Sequence, residues 1–276
     1  MKRKLLTLIL LITGFGVLGY PYISNYLNQQ NGTKTLNNYQ QSVDQLSKEE
    51  KAQEWRKAEV YNENLTGQPA HDPFIPGSGI AMPQNYYKVL NIEGTMGKIE
   101  IPKIAVELPI YHGTSDKVLK KAVGHLEGST MPVGGTGTHA VLTGHTGLTN
   151  ARLFTDLTEL KTGDQFYITV LEKTLAYQVD QITVIEPEQT GHLRTYKGKD
   201  YVTLMTCTPY GVNSHRLLVR GKRVPYQPSQ KQKAQKVGLT EEQKILILTA
   251  VITSVLMLIL ILLTILRNRR SERLHK

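Results

Sequence analysis

The chain of 276 residues predicts an all-β domain with short helices, a sandwich or a barrel, set between two membrane segments. Three observations carry this. Short runs rich in Val, Ile, Thr and Tyr follow one another from Gly97 to Val219, each bounded by turn residues. No long helical pattern separates them, which argues against a parallel α/β sheet. Two long stretches without charge, residues 5–23 and 245–266, enclose everything else.

The first apolar stretch follows Lys2, Arg3 and Lys4 and is broken by Gly14, Gly16, Gly19 and Pro21. A basic start before an apolar run also describes a cleavable signal peptide. No small-x-small cleavage site precedes Ser24, so residues 1–23 are expected to be an uncleaved anchor. Residues 24–66 are expected to be helical. Leu36, Tyr39, Val43 and Leu46, then Trp55, Ala58 and Tyr61, recur at three- and four-residue steps among Glu and Lys. From Gly67 to Pro83 the composition changes to Gly and Pro, which excludes regular structure and predicts a long loop at 67–84.

The β domain is expected over 85–226. Its strands are predicted at 97–104, 108–111, 139–143, 165–171, 175–179, 182–185, 201–206 and 217–219, with short helices near 115–123 and 150–160. A linker at 227–244 leads to the second apolar stretch, 245–266. At about 1.5 Å per residue it suffices for a hydrocarbon core of about 30 Å. A basic tail, 267–276, closes the chain.

The net charge of +10 divides into three before the first apolar stretch, four after the second and three between them. The excess therefore sits where membrane topology uses it and not in a phosphate-reading patch, which argues against nucleic acid as a partner. Both positive clusters lie on the far side of their apolar stretch from the β domain. Both termini are then expected in the cytoplasm and the domain outside it, with two spans in the cell membrane.

Outside the cytoplasm cysteines usually pair, yet Cys207 is the only cysteine of the chain. It ends the apolar run Tyr201–Thr206 and precedes the turn residues Pro209 and Gly211, so a strand delivers the thiol to an accessible edge. Arg216 opens the next strand and falls beside it if Pro209–Asn213 is a hairpin connection; there a guanidinium can donate to an oxyanion. His145 lies between two glycines after the strand Ala140–Thr143. The residues by themselves leave the acid/base role open among His145, His139 and His215. No Cys/His cluster has zinc spacing, no loop has calcium spacing, and no glycine loop suits a phosphate, so no metal or cofactor is expected.

The segment Thr203-Leu-Met-Thr-Cys207-Thr-Pro-Tyr-Gly211-Val-Asn-Ser-His-Arg216 closely resembles the active-site strand pair of sortases. Thr138-His-Ala-Val-Leu-Thr-Gly-His145 resembles their histidine segment, and Gly97–Ile104 their first strand. The resemblance covers about residues 67–225. It implies a closed eight-stranded β-barrel, with Cys207 as nucleophile, His145 as general acid/base and Arg216 as anchor of the oxyanion or substrate. His71-Asp72-Pro73-Phe74 resembles the lid motif of class C sortases, the pilin polymerases of Gram-positive bacteria. That resemblance implies that Asp72 pairs with Arg216, that Phe74 lies over Cys207, and that a second membrane span is present. The implied activity is cleavage of an LPxTG-like sorting signal through a thioester, then transfer to a lysine of the next pilin subunit. A housekeeping sortase with a cell-wall amine as acceptor is the rival enzyme, and a tethered scaffold with an inert Cys207 the non-enzymatic rival.

Overall fold

A computed structural model describes residues 2–65, 72, 74, 85–229, 231 and 253. Most of the predicted linker and second span at 227–266, and most of the predicted loop at 67–84, lie outside those residues. Residues 236–276 form a second unit, of which Thr253 alone is described.

Helix α1 runs from Lys2 to Gln45 and α2 from Lys48 to Asn64. The helical region predicted over 24–66 is therefore two helices. The break lies at Ser47, whose hydroxyl accepts from the Glu50 amide at 3.1 Å while the Glu50 carboxylate accepts from the Ser47 amide at 2.8 Å. This reciprocal capping satisfies two orphan amides and starts a new helix. On α1, Gly32, Leu36, Tyr39 and Val43 form a buried stripe at three- and four-residue spacing.

The barrel strands are β1 (Thr95–Ile101), β2 (Val106–His112), β3 (Val123–His125), β4 (Thr138–Thr143), β5 (Gln165–Val170), β6 (Lys173–Ile185), β7 (Asp200–Thr208) and β8 (His215–Val224). They close in the order β1-β2-β3-β4-β7-β8-β6-β5. The eight strands are not the eight predicted runs. The runs at 175–179 and 182–185 are one strand, β6, shifted in register between Val179 and Gln181. The eighth strand is β3, three residues held between β2 and β4 where a helix end was expected. The helix there, α3, is only Asp116–Leu119, and the helix expected at 150–160 is a 3-10 turn at Thr155–Glu159.

The barrel is filled by side chains such as Ile99, Leu142, Phe166, Leu204 and Val219, with the Phe166 and Tyr177 rings stacked at 5.6 Å. The Tyr39 hydroxyl fastens α1 to this barrel. It donates to the Met96 carbonyl at 3.2 Å and accepts from the Leu171 amide at 2.7 Å. Burial pushes its pKa up to about 12. Asn62 fastens α2 in the same way, bonding both the amide and the carbonyl of Met131. Among the described residues no helix is long and apolar enough to cross a membrane.

Candidate active site

Two pairings bring three distant residues together. β4 and β7 run parallel, with Thr143 beside Met205. Their last residues therefore leave the barrel at the same end, and two further steps in that register bring His145 level with Cys207. The link continues past the strands: the Gly144 amide donates to the Met205 carbonyl at 3.1 Å, and the Thr206 hydroxyl to the Gly144 carbonyl at 2.8 Å. A Cβ at Gly144 would lie 2.8 Å from the Phe154 ring, so the residue before His145 has room only for glycine. β7 and β8 run antiparallel, and Cys207 pairs directly with Arg216.

Strand alternation turns Leu204 into the barrel and Met205 and Cys207 outward. Met205 joins Leu126, Val141, Ile185, Leu193 and Leu218 in a second apolar cluster outside the barrel. The thiol thus stands at the end of an apolar outer face.

Asp72 and Phe74 reach this end. Asp72 accepts from Arg216 Nε at 2.7 Å, and both side chains are about 95% buried. Arg216 Nη1 donates to the carbonyls of Asn213 and His215, both at 3.1 Å. The Asp72 carboxylate also takes the Phe74 amide at 2.7 Å, which turns the ring inward. That ring lies 5.4 Å from the His145 ring and 4.9 Å from the Arg216 guanidinium carbon. The expected Asp72–Arg216 pair is present, and the Phe74 ring lies against both His145 and Arg216.

Closure sets the electrostatics. Burial pushes the Cys207 thiol up; Arg216 opposes that shift and Asp72 adds to it. Burial holds His145 down, with Asp116 opposing and Lys120 reinforcing. Both shifts favour the neutral thiol beside a neutral imidazole. Asp116 and Lys120 sit on and just beyond α3, and the sequence patterns did not single them out.

The other histidines are held elsewhere. His139 is buried, with Nδ1 at 2.7 Å from the Arg194 carbonyl and Nε2 at 2.7 Å from the Thr203 hydroxyl. Burial lowers its pKa to about 4. His215 pairs across with Thr208 and bonds the Ser214 hydroxyl. Among the described residues no group of His, Cys, Asp and Glu could hold a metal ion.

Comparison with known proteins agrees with this geometry. The family model described as "Sortase domain" matches residues 99–224. The solved structure of sortase C-1 from Actinomyces oris is 52% identical, covering 64% of this chain and 99% of that one, at a TM-score of 0.61. Sortase C-1 from Streptococcus pneumoniae is 44% identical, covering 70% of this chain and all of that one, at a TM-score of 0.67. A pilus-related sortase C of group B Streptococcus is 43% identical over 69% of this chain and 97% of its own, at a TM-score of 0.65. Sortase A of Bacillus anthracis is more distant, 26% identical over 80% of this chain and 94% of its own.

Proposed function

The chain belongs to the sortase family as a class C sortase, a cysteine transpeptidase, and we propose that it joins pilin subunits with Cys207, His145 and Arg216 as its catalytic residues. The observation that carries the reading is the Asp72–Arg216 pair. It sets a separate segment over the strand pair that bears the thiol. The group B Streptococcus relative is described as pilus-related, and the pneumococcal sortase C in terms of pilin substrate specificity. Both exceed 40% identity, against 26% for the sortase A of B. anthracis, which favours pilin over a cell-wall acceptor.

The reaction begins when the lid segment withdraws and an LPxTG-like sorting signal takes its place. Losing Asp72 frees Arg216 Nε to donate to substrate and removes a negative charge that disfavours the thiolate. The Cys207 proton passes to His145 as Sγ attacks the Thr carbonyl carbon. Arg216 and backbone amides stabilise the oxyanion. The Thr–Gly bond breaks, and His145 returns the proton to the leaving glycine amine. The thioester keeps the acyl group activated. A lysine amine of the next subunit then attacks it, His145 takes the amine proton, and an isopeptide bond forms as Sγ leaves and is reprotonated. The domain works outside the cytoplasm, held by spans at 5–23 and 245–266.

The test is mass spectrometry of the protein incubated with an LPxTG-like peptide. The acyl adduct should map to Cys207, and an added pilin should release it as a lysine-linked conjugate. An adduct released only by water or by a peptidoglycan amine would exclude the polymerising role.

A further inference from the structure

The loop that carries His145 rests on the anchor helix at its membrane end. The Arg152 amide donates to the Asn25 side chain at 3.0 Å. The Phe154 amide, two residues on, donates to the His145 carbonyl at 3.1 Å. Asn25 is two residues past Ile23, the last residue of the apolar stretch, or about 3 Å along the helix axis. The stripe of α1 that faces the domain begins there: Pro21, Ser24, Asn25 and Asn28 are partly covered, ahead of buried Gly32 and Leu36. The helix does not shed its apolar surface before the domain starts. Tyr20, Ile23, Tyr26 and Leu27 are each more than half exposed beside it. An exposed band of Tyr, Ile and Leu on a helix leaving a basic, apolar stretch matches a membrane–water interface.

The turn between β7 and β8 lies at this same end. It carries Tyr210 at 68% and Val212 at 70%, which with Val17 at 68% are the most exposed large apolar side chains among the described residues. A Cβ built at Gly147 would be 3.4 Å from the Tyr210 ring, so that ring covers the His145 loop. The Gly147 amide in turn donates to the Thr155 hydroxyl at 3.2 Å, and Thr155 is three residues from Arg152. A continuous line of contacts therefore joins Tyr210 to Asn25. The charged groups that act on His145 are Asp116 and Lys120, themselves an ion pair at 2.9 Å; Lys117 and Lys121 adjoin them in sequence and leave a net positive set, and Arg152 and Asp156 pair with each other. Excess lysine at a membrane surface favours anionic headgroups.

We propose that the mouth of the active site is a lipid-facing surface, with Tyr210 and Val212 seated in the headgroup layer of the bilayer that holds α1. The inference rests on the reading of residues 5–23 as an anchor and adds an orientation to it. An anchor alone permits the domain to stand off on a stalk. Here the helix is continuous through the membrane end, and the catalytic loop is bonded to it at Asn25. The transfer then occurs at the membrane surface.

The test uses the full chain with Cys207→Ala and a single new cysteine at Val17, Val212 or Lys199, the last at the opposite end of β7. Each cysteine carries an environment-sensitive fluorophore. Each protein is reconstituted into phosphatidylglycerol–phosphatidylethanolamine vesicles containing a lipid spin-labelled near its headgroup. The expected result is quenching several-fold stronger at 17 and at 212 than at 199. Quenching at 17 with none at 212 overturns the lipid-facing mouth and leaves the anchor standing. Quenching at neither overturns both. Protection of 212 that appears only when pilin is added assigns the turn to a protein partner and likewise overturns the proposal.

Discussion

Two of the three arginines of strand β8, Arg216 and Arg220, lie four residues apart on the same face, and each sits between a carboxylate and an aromatic ring. Arg220 pairs with both oxygens of Asp180 at 3.0 and 2.9 Å and lies 4.2 Å over Tyr201. Arg216 pairs with Asp72 at 2.7 Å and lies 4.9 Å over Phe74. The chemistry is shared, but the tether differs. Asp180 and Tyr201 belong to β6 and β7, the strands on either side of β8, so the barrel must unfold to separate them from Arg220. Asp72 lies 144 residues from Arg216, outside the barrel strands, in a stretch of sequence rich in Gly and Pro. On the proposed function, one arrangement is structure and the other is a gate. The two histidines repeat the contrast: both ring nitrogens of His139 are bonded, to the Arg194 carbonyl and the Thr203 hydroxyl, whereas His145 lies against the Phe74 ring.

The largest effect expected at the gated end is from Cys207→Ala. It should lower peptide cleavage and pilin joining at least about a thousandfold, the usual consequence of removing a nucleophile, with the circular dichroism spectrum unchanged. Turnover within tenfold of wild type would remove Cys207 from the chemistry. Exchanging the two ends sharpens the contrast. His145→Ala should lower turnover by about 10²–10⁴ while leaving the urea midpoint nearly unchanged. His139→Ala should do the reverse: a loss of about 2–3 kcal/mol from two buried hydrogen bonds, with near-normal turnover by the folded protein. If His139→Ala is the inactive variant, the two roles are assigned to the wrong ends.

The paired carboxylates give the next comparison. Asp72→Ala leaves Arg216 without its buried partner on the lid and should release the segment. Labelling of Cys207 by a bulky thiol reagent should then rise on the order of tenfold, the shift that about 1.4 kcal/mol of lost closure produces. Phe74→Ala should act in the same direction. Asp180→Ala should leave the labelling rate alone and cost roughly 1–2 kcal/mol in denaturant. Equal labelling in all four proteins would mean that the segment does not gate the thiol.

The smallest effects are in pH dependence. Because burial and Asp72 raise the Cys207 pKa, wild-type alkylation should climb late in the alkaline range, and Asp72→Ala should shift that inflection downward. At the fixed end, the His139 pKa falls from 6.5 to about 4 on folding. The unfolded chain then binds the proton first as pH drops, so stability is full above about 6.5 and is lost between 6.5 and 4. His139→Gln should flatten that loss in urea titrations. His125, also held to about 4 by burial, should still contribute its own share.

Much of this was legible in the sequence. Strands of five or more residues with alternating or continuous apolar patterns, such as β1, β5 and β7, stand out because their own side chains define the period. Strand β3 did not, since Val123-Gly124-His125 has no period to read and exists because β2 and β4 bond it from both sides. β6 was read as two strands because its bulge interrupts the alternation, although its pairing with β8 continues through it. The site residues Cys207, His145, Arg216, Asp72 and Phe74 were legible through motif resemblance. Asn25, Asp116 and Lys120 were not, because they carry no motif and gain meaning only from their neighbours.

The sequence by itself determined the β character of the domain, the lone thiol at a strand end, the Gly/Pro-rich segment and the two apolar stretches. Each of these is a local property, set by residue type and spacing within a short window. Apart from the motif resemblance, only the tertiary structure brings His145 level with Cys207 and sets Asp72 against Arg216. Those placements depend on strand order. The parallel pairing of β4 with β7 brings residues 62 positions apart to the same level. The closure of the barrel then leaves Arg216, but not Arg220, within reach of Asp72. Register between distant segments is fixed by packing the whole core at once, and no short stretch of the chain contains it.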